Sequence, residues 1–125
     1  MNWKQIRLTL ARTPEYPSGS SEHAYELVLP VGTDGIIDLA AFERMPGRAT
    51  VQRLWPGQDT MRGAILRQNG GFVFSYAPGE ADDEQIFHLE NHPLRLGEYI
   101  TLTEPDGDRL AYQIAAVRAL PDQVS

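Results

Sequence analysis

MRGAILRQNGGFVFSYA, residues 61–77, is the stretch of this chain that decides the fold. An Asn-Gly pair at its centre separates two runs of aliphatic and aromatic residues, and Asn-Gly favours the type I′ turn whose twist suits antiparallel strands. We therefore predict a β-hairpin in which Arg67 lies opposite Phe72 and Ile65 lies opposite Phe74. Because side chains alternate between the two faces of a strand, Ile65 and both phenylalanines share one face. The other face is also fairly apolar, so we expect the hairpin to be covered on both sides.

The pattern of strand-length runs separated by turn-forming residues continues along the chain. Turn-forming residues recur at short spacing, at Pro46-Gly47, Pro56-Gly57, Pro78-Gly79, Gly97 and Pro105-Asp106-Gly107. Runs of strand length surround these turns, and WKQIRLTLAR, residues 3–12, alternates with Ile6, Leu8 and Leu10 on one side. Short strands separated by regular turns are typical of β-sandwiches and β-barrels. We predict an all-β fold, an antiparallel barrel or strongly twisted roll of about seven strands.

The chain is predicted to form a single domain, 1–125, with one short helix. The segment DLAAFERM, residues 38–45, contains good helix formers, and Asp38 can cap the N–H groups of the first turn. The composition of residues 13–23 predicts a flexible loop, and residues 120–125 are typical of a frayed tail.

The composition argues against several classes of protein. The 125-residue chain contains no cysteine, which removes disulfides, thiolate nucleophiles and cysteine-ligated zinc. No apolar run has the length of a signal-peptide core or of a bilayer-spanning helix. We therefore expect a cytoplasmic protein that does not bind a membrane. The net charge of −6 argues against nucleic-acid binding, because a negative surface repels phosphates.

The charge is nevertheless uneven along the chain. Residues 44–67 carry five arginines and one aspartate, whereas residues 79–108 carry nine acidic residues and one arginine. One interpretation is a basic surface that binds a protein partner. The other is that the two segments neutralise each other across neighbouring strands, or are simply solvated.

On the first interpretation, the contact surface is Arg-rich and includes the one tryptophan that stands beside a turn. The predicted contact residues are Arg48, Arg53, Trp55, Arg62 and Arg67. If Trp55 is exposed it anchors the partner, and if it is buried it plugs one end of the barrel.

The motifs of common enzymes are missing from the sequence. The chain has no P-loop, no dinucleotide-binding glycine turn, no nucleophile elbow and no HExxH helix. Their absence favours a non-enzymatic binding or accessory module, although catalytic groups can also assemble from distant positions. We expect no cofactor.

The alternative is a small metal- or ligand-dependent enzyme centred on His88, Glu90 and His92. In a strand these side chains share one face, where two imidazoles can converge on a metal ion with His23 as a third ligand from another strand. However, Pro93 favours a turn that would take His92 off the shared face. The other interpretation is that His88 and Glu90 form the solvent side of a half-buried strand.

A second alternative is single-stranded nucleic-acid binding. It depends on the row Phe72, Phe74 and Tyr76, which stands beside Arg53 and Arg67 in the predicted sheet, because strand aromatics next to arginines can stack bases. The row also fits a hydrophobic core, since an isoleucine lies on the same face.

Three segments carry a resemblance that covers most of the chain. ATVQRLWPGQ, GGFVFSYAPGEADDEQIFHLENH and LRLGEYITLTEPDGDRLAYQI resemble a family of short, uncharacterised bacterial proteins of this length. The resemblance implies no activity, cofactor or partner.

Overall fold

The computed structural model describes residues 3–68, 71–76, 84–86, 93–103 and 109–120. Within them lie eight strands: β1 (Trp3–Leu10), β2 (Ser20–Pro30), β3 (Thr50–Leu54), β4 (Met61–Gln68), β5 (Gly71–Ser75), β6 (Glu84–Ile86), β7 (Tyr99–Thr103) and β8 (Arg109–Ala119). One α-helix, α1 (Leu39–Arg44), is followed by a single 3-10 turn at Pro46–Arg48. No helix in the described ranges is both long and apolar enough to cross a bilayer.

The strands form one antiparallel sheet in chain order, and the sheet closes on itself. β1 pairs with β2 on one side and with β8 on the other, which completes the barrel. The register of β1 against β8 shifts between Arg7 and Leu8, and a bulge of this kind increases the local twist that closure requires. The prediction of an antiparallel all-β barrel with little helix is confirmed.

The hairpin of β4 and β5 has the predicted register. Arg67 pairs with Phe72 and Ile65 pairs with Phe74, and both phenylalanines are buried with Ile65 in the barrel interior. The expectation that the hairpin is covered on both sides is wrong for β4. Leu66 points outward and remains 44% exposed, whereas its partner Val73 on the same face of β5 is only 2% exposed.

The helix forms where the sequence predicts it and packs over one end of the barrel. Asp38 caps it by accepting a hydrogen bond from the Ala41 N–H at 3.0 Å. Phe42 is buried, and its ring meets that of Phe72 edge-on with the centroids 5.3 Å apart. Since β2 ends and β5 begins here, we call this the helix end of the barrel.

The opposite end of the barrel is called the mouth. There β1 and β3 end, at Leu10 and Leu54, and β2 and β8 begin, at Ser20 and Arg109. Large side chains fill the interior between the two ends, and those with almost no exposure are Trp3, Tyr25, Tyr112, Phe72, Phe74, Ile6, Leu8, Leu27, Leu29 and Ile65.

The predicted loop at 13–23 is shorter than expected, since β2 begins at Ser20. Gly19 makes this possible, because its φ of 74° lies in the left-handed region and a Cβ there would lie 2.7 Å from the Leu10 carbonyl oxygen. At the other terminus, the Leu120 N–H donates to the Trp3 carbonyl at 3.0 Å. Of the predicted tail, 121–125 lie outside the described residues.

Candidate ligand-binding site

The five residues predicted as one contact surface do not lie together. Two of them are at the helix end. The Arg48 guanidinium lies over the Trp3 ring, 4.9 Å from its centroid, which is a cation–π distance. The Arg67 Nη1 lies 3.9 Å from the Glu43 Oε2 on α1, so its charge is partly balanced within the chain.

The other three are divided between the outer wall and the mouth. Arg62 is exposed on β4, opposite Gln52 of β3. Arg53 and Trp55 lie at the mouth, and they are the only pair of the five that the structure brings into contact within the described residues. The Arg-rich surface predicted from the sequence is therefore dispersed over the barrel.

Arg53 faces the barrel interior rather than solvent. It has the strand parity of Val51, which is buried in the core. Its guanidinium lies 4.7 Å from the centroid of Trp55 and 5.5 Å from that of Tyr76, and its Nη2 donates to the sulfur of Met61 at 2.7 Å. Arg53 thus stabilises two aromatic rings at the mouth through cation–π interactions.

The aromatic row of β5 serves mainly as core. Phe72 and Phe74 are 1% and 0% exposed, so their rings offer no surface on which a base could stack. Tyr76, two residues further on, is half-buried and packs against the core at the mouth. The interpretation of this row as a hydrophobic core is confirmed for the two phenylalanines.

His23, which the sequence suggested only as a third metal ligand, lies at the mouth. Its ring centroid lies 4.8 Å from that of Tyr16 and 5.3 Å from that of Trp55, so it stands between the two. Its Nδ1 is 2.9 Å from the Ser20 hydroxyl, and its Nε2 is 3.4 Å from the Tyr16 hydroxyl. Both ring nitrogens therefore have hydrogen-bonding partners from the protein itself.

Tyr16 is positioned by the hydrogen bonds of its own loop. The backbone N–H of Thr13 donates to the Tyr16 carbonyl at 3.0 Å, and the Tyr16 N–H donates back to the Thr13 carbonyl at 3.1 Å. The Thr13 hydroxyl also accepts from the Tyr16 N–H, and the Gly19 N–H donates to the Tyr16 carbonyl at 2.8 Å. These hydrogen bonds hold the β1–β2 loop in one conformation around Tyr16.

An open pocket of about 650 Å³ lies between this loop and the turn that joins β3 to β4. Three side chains of the barrel itself, Leu10, Leu110 and Tyr112, form its base. The loop wall consists of Thr13, Pro14, Glu15 and Tyr16, and the turn wall consists of Trp55, Pro56 and Gln58. His23 joins the two walls, because it contacts a ring on each.

The position of Trp55 decides between the two predictions made for it. The side chain is half-buried against the core, and its ring meets that of Tyr25 edge-on with the centroids 6.4 Å apart. It also lines the pocket. Trp55 is therefore neither a fully exposed anchor nor a complete plug, but one wall of a concave site.

The predicted cluster of His88, Glu90 and His92 lies outside the described residues, so the metal or ligand-dependent enzyme centred on it stays a prediction. His23, its suggested third ligand, is engaged at the mouth as described. Among the residues that the structure describes, no three His, Asp or Glu side chains converge as metal ligands would.

Neither the models of protein families nor the curated proteins and solved structures contain a match to this chain. The resemblance to short bacterial proteins therefore stays a prediction, and the function is argued from the site itself.

Proposed function

We propose that the protein is a cytoplasmic, non-enzymatic binding module that holds a small organic ligand at the mouth of its barrel. The observation that carries the proposal is the pocket of about 650 Å³ that has Tyr16 on one wall and Trp55 on the other. Small-molecule sites are concave, have volumes of roughly 300–1,000 Å³, and combine aromatic walls with a few polar groups. The mouths of β-barrels are among their usual places.

Binding is favoured over catalysis by the state of the ionisable groups. His23 is the natural proton carrier of the pocket, but its Nδ1 contacts the hydroxyl of Ser20, which does not line the pocket, and its Nε2 lies 3.4 Å from the Tyr16 hydroxyl. A general base must reach the proton that it removes, either directly or through one water. Glu15, the carboxylate among the described lining residues, lies on the exposed loop wall.

The two tryptophans provide the test, because they occupy opposite ends of the barrel. Trp3 lies at the helix end and Trp55 at the mouth, so their indole N–H signals in a ¹H–¹⁵N NMR spectrum report on each end separately. Small probes of alkyl, aromatic, carboxylate and ammonium type should be titrated one at a time. We expect at least one class to shift the Trp55 signal in a saturable manner while the Trp3 signal stays in place.

Leu110→Phe is the matching variant, since the larger side chain would fill the base of the pocket. Leu66→Phe is its control, because it adds the same volume to the outer wall of β4. The first should weaken probe binding several-fold and the second should leave it unchanged. If no class of probe shifts the Trp55 signal, the proposal is wrong.

A protein partner is the second candidate, and a different observation favours it. Arg62 and the 44% exposed Leu66 lie on the outer face of β4, an arrangement that suits a small contact patch. Leu66→Asp should remove a partner that is retained by Leu96→Asp, a change at another exposed leucine. Identical sets of captured proteins for both variants would count against this candidate.

A further inference from the structure

We infer that the mouth pocket takes an uncharged, flat aromatic molecule with a hydroxyl or carbonyl group. The inference rests on the proposed function, because it names the class of ligand for that same pocket. Three features carry it: the arrangement of the rings, the balance of charge between the two walls, and the polar groups on the rim.

The rings of the pocket already form a series of aromatic contacts. Tyr16 packs on His23 in a tilted geometry, and His23 packs on Trp55 edge-on. Tyr112 lies beneath them at the base of the pocket, but its ring is fully buried, so the rings that a ligand can meet are those of the two walls and His23. A flat aromatic ligand extends such a series, since aromatic pairs prefer offset and edge-on contacts with centroids about 4.5–7 Å apart. A saturated ligand of equal size gains only the burial of its surface.

The charges flanking the pocket oppose each other. Glu15 lies on the loop wall and disfavours an anion. Arg53 does not line the pocket, but its guanidinium lies 4.7 Å from the centroid of the Trp55 ring and disfavours a cation there. An ion of either sign is attracted by one of these charges and repelled by the other, so little offsets the hydration that it loses on entering the pocket. An uncharged ligand avoids both penalties.

Polar groups of the described lining residues stand at the rim. Tyr16 on the loop wall carries a hydroxyl, which also lies 3.4 Å from the His23 Nε2, and Gln58 on the turn wall carries a side-chain amide. Both groups can donate and accept hydrogen bonds. They match a hydroxyl or carbonyl on the ligand, and they supply the orientation that stacking alone does not provide.

A matched series of naphthalene probes tests the inference. The probes are 2-naphthalenemethanol, 2-naphthoate, the 2-naphthylmethylammonium ion and the saturated decahydro-2-naphthalenemethanol. We expect the neutral aromatic alcohol to shift the Trp55 indole signal with an affinity at least about fivefold higher than that of either charged probe, because the opposing charges of Glu15 and Arg53 leave the lost hydration of an ion largely uncompensated. It should also bind several-fold more tightly than the saturated alcohol.

A variant pair tests the charge argument separately. Glu15→Gln should raise the affinity of 2-naphthoate several-fold, whereas Glu22→Gln, an exposed acid on the outer side of β2, should leave it unchanged. Tighter binding of either charged probe, or equal binding of the saturated alcohol, would overturn the ligand class while leaving the pocket supported. If none of the four probes shifts the Trp55 signal, the pocket itself is not a binding site for this class, and the inference fails with it.

Discussion

The imidazole of His23 and the indole of Trp55 meet edge-on at the mouth of the barrel, with their ring centroids 5.3 Å apart. Through this contact the β1–β2 loop is joined to the turn after β3, because the imidazole also packs on the ring of Tyr16 in the loop. The pocket therefore depends on one side chain that belongs to neither wall.

His23→Ala should loosen both walls of the pocket. The variant loses two ring contacts and the hydrogen bond to Ser20, so we expect the free energy of unfolding to fall by about 1–2 kcal/mol. In the NMR spectrum the Trp55 indole signal should move and broaden, while the Trp3 signal should not. His23→Phe keeps a ring at this place and should preserve most of the Trp55 signal position. An unchanged Trp55 signal in the alanine variant would show that the contact has no structural role.

Gly63→Ala tests the close approach of β4 and β5. A Cβ at this position would lie 2.1 Å from the Ser75 carbonyl oxygen and 2.8 Å from the Tyr76 Cα, both of which are backbone atoms that cannot rotate away. We expect a loss of at least about 3 kcal/mol in the free energy of unfolding, measured by urea denaturation. Gly47→Ala is the control, since nothing lies within 4 Å of its Cβ position. Equal midpoints for the two variants would contradict this account.

The hairpin shows how much of this fold the sequence predicts. The Asn-Gly pair predicts a hairpin, and alternation predicts that Ile65 and its partners lie in the core; the observed pairing of β4 with β5 and the burial of these residues agree with both. Such local signals suffice for a barrel of consecutive antiparallel strands, in which each strand pairs with its neighbour in the sequence. Closure through β1 and β8 involves residues more than a hundred positions apart, and no local pattern specifies it.

The candidate site was less predictable, for two physical reasons. His23 has the parity of Tyr25, Leu27 and Leu29, so its inward direction could have been inferred had the strand been extended back. The small polar residues before it favour a loop, whereas in the structure β2 begins at Ser20, which pairs with Leu10 of β1. The four arginines predicted as one surface lie apart in the structure. Their neighbours in space depend on the register of several strands, and the composition of a segment does not specify that register.

Asp38→Ala tests the helix end independently of the site. The Asp38 carboxylate is the N-cap of α1, so its removal should cost about 1 kcal/mol in the free energy of unfolding. Asp38→Asn retains a capping oxygen and should cost less. Thermal unfolding followed by circular dichroism measures both, and probe binding at the mouth should be the same in the two variants. A change in probe affinity would mean that the two ends of the barrel are coupled.

Arg53→Ala tests whether Arg53 acts by packing against the rings of Trp55 and Tyr76 or only by its positive charge. The guanidinium holds Trp55 and Tyr76, so its loss should lower the free energy of unfolding by about 1–2 kcal/mol and move the Trp55 indole signal. Arg62→Ala, which removes the same charge from the exposed wall of β4, should change stability by less than about 0.5 kcal/mol. Arg53→Lys retains the charge but loses the flat guanidinium, and we expect it to recover only part of the stability. If Arg53→Lys has the full stability of the original protein, the positive charge at this position is sufficient and the stacking of a flat guanidinium between the rings is not needed.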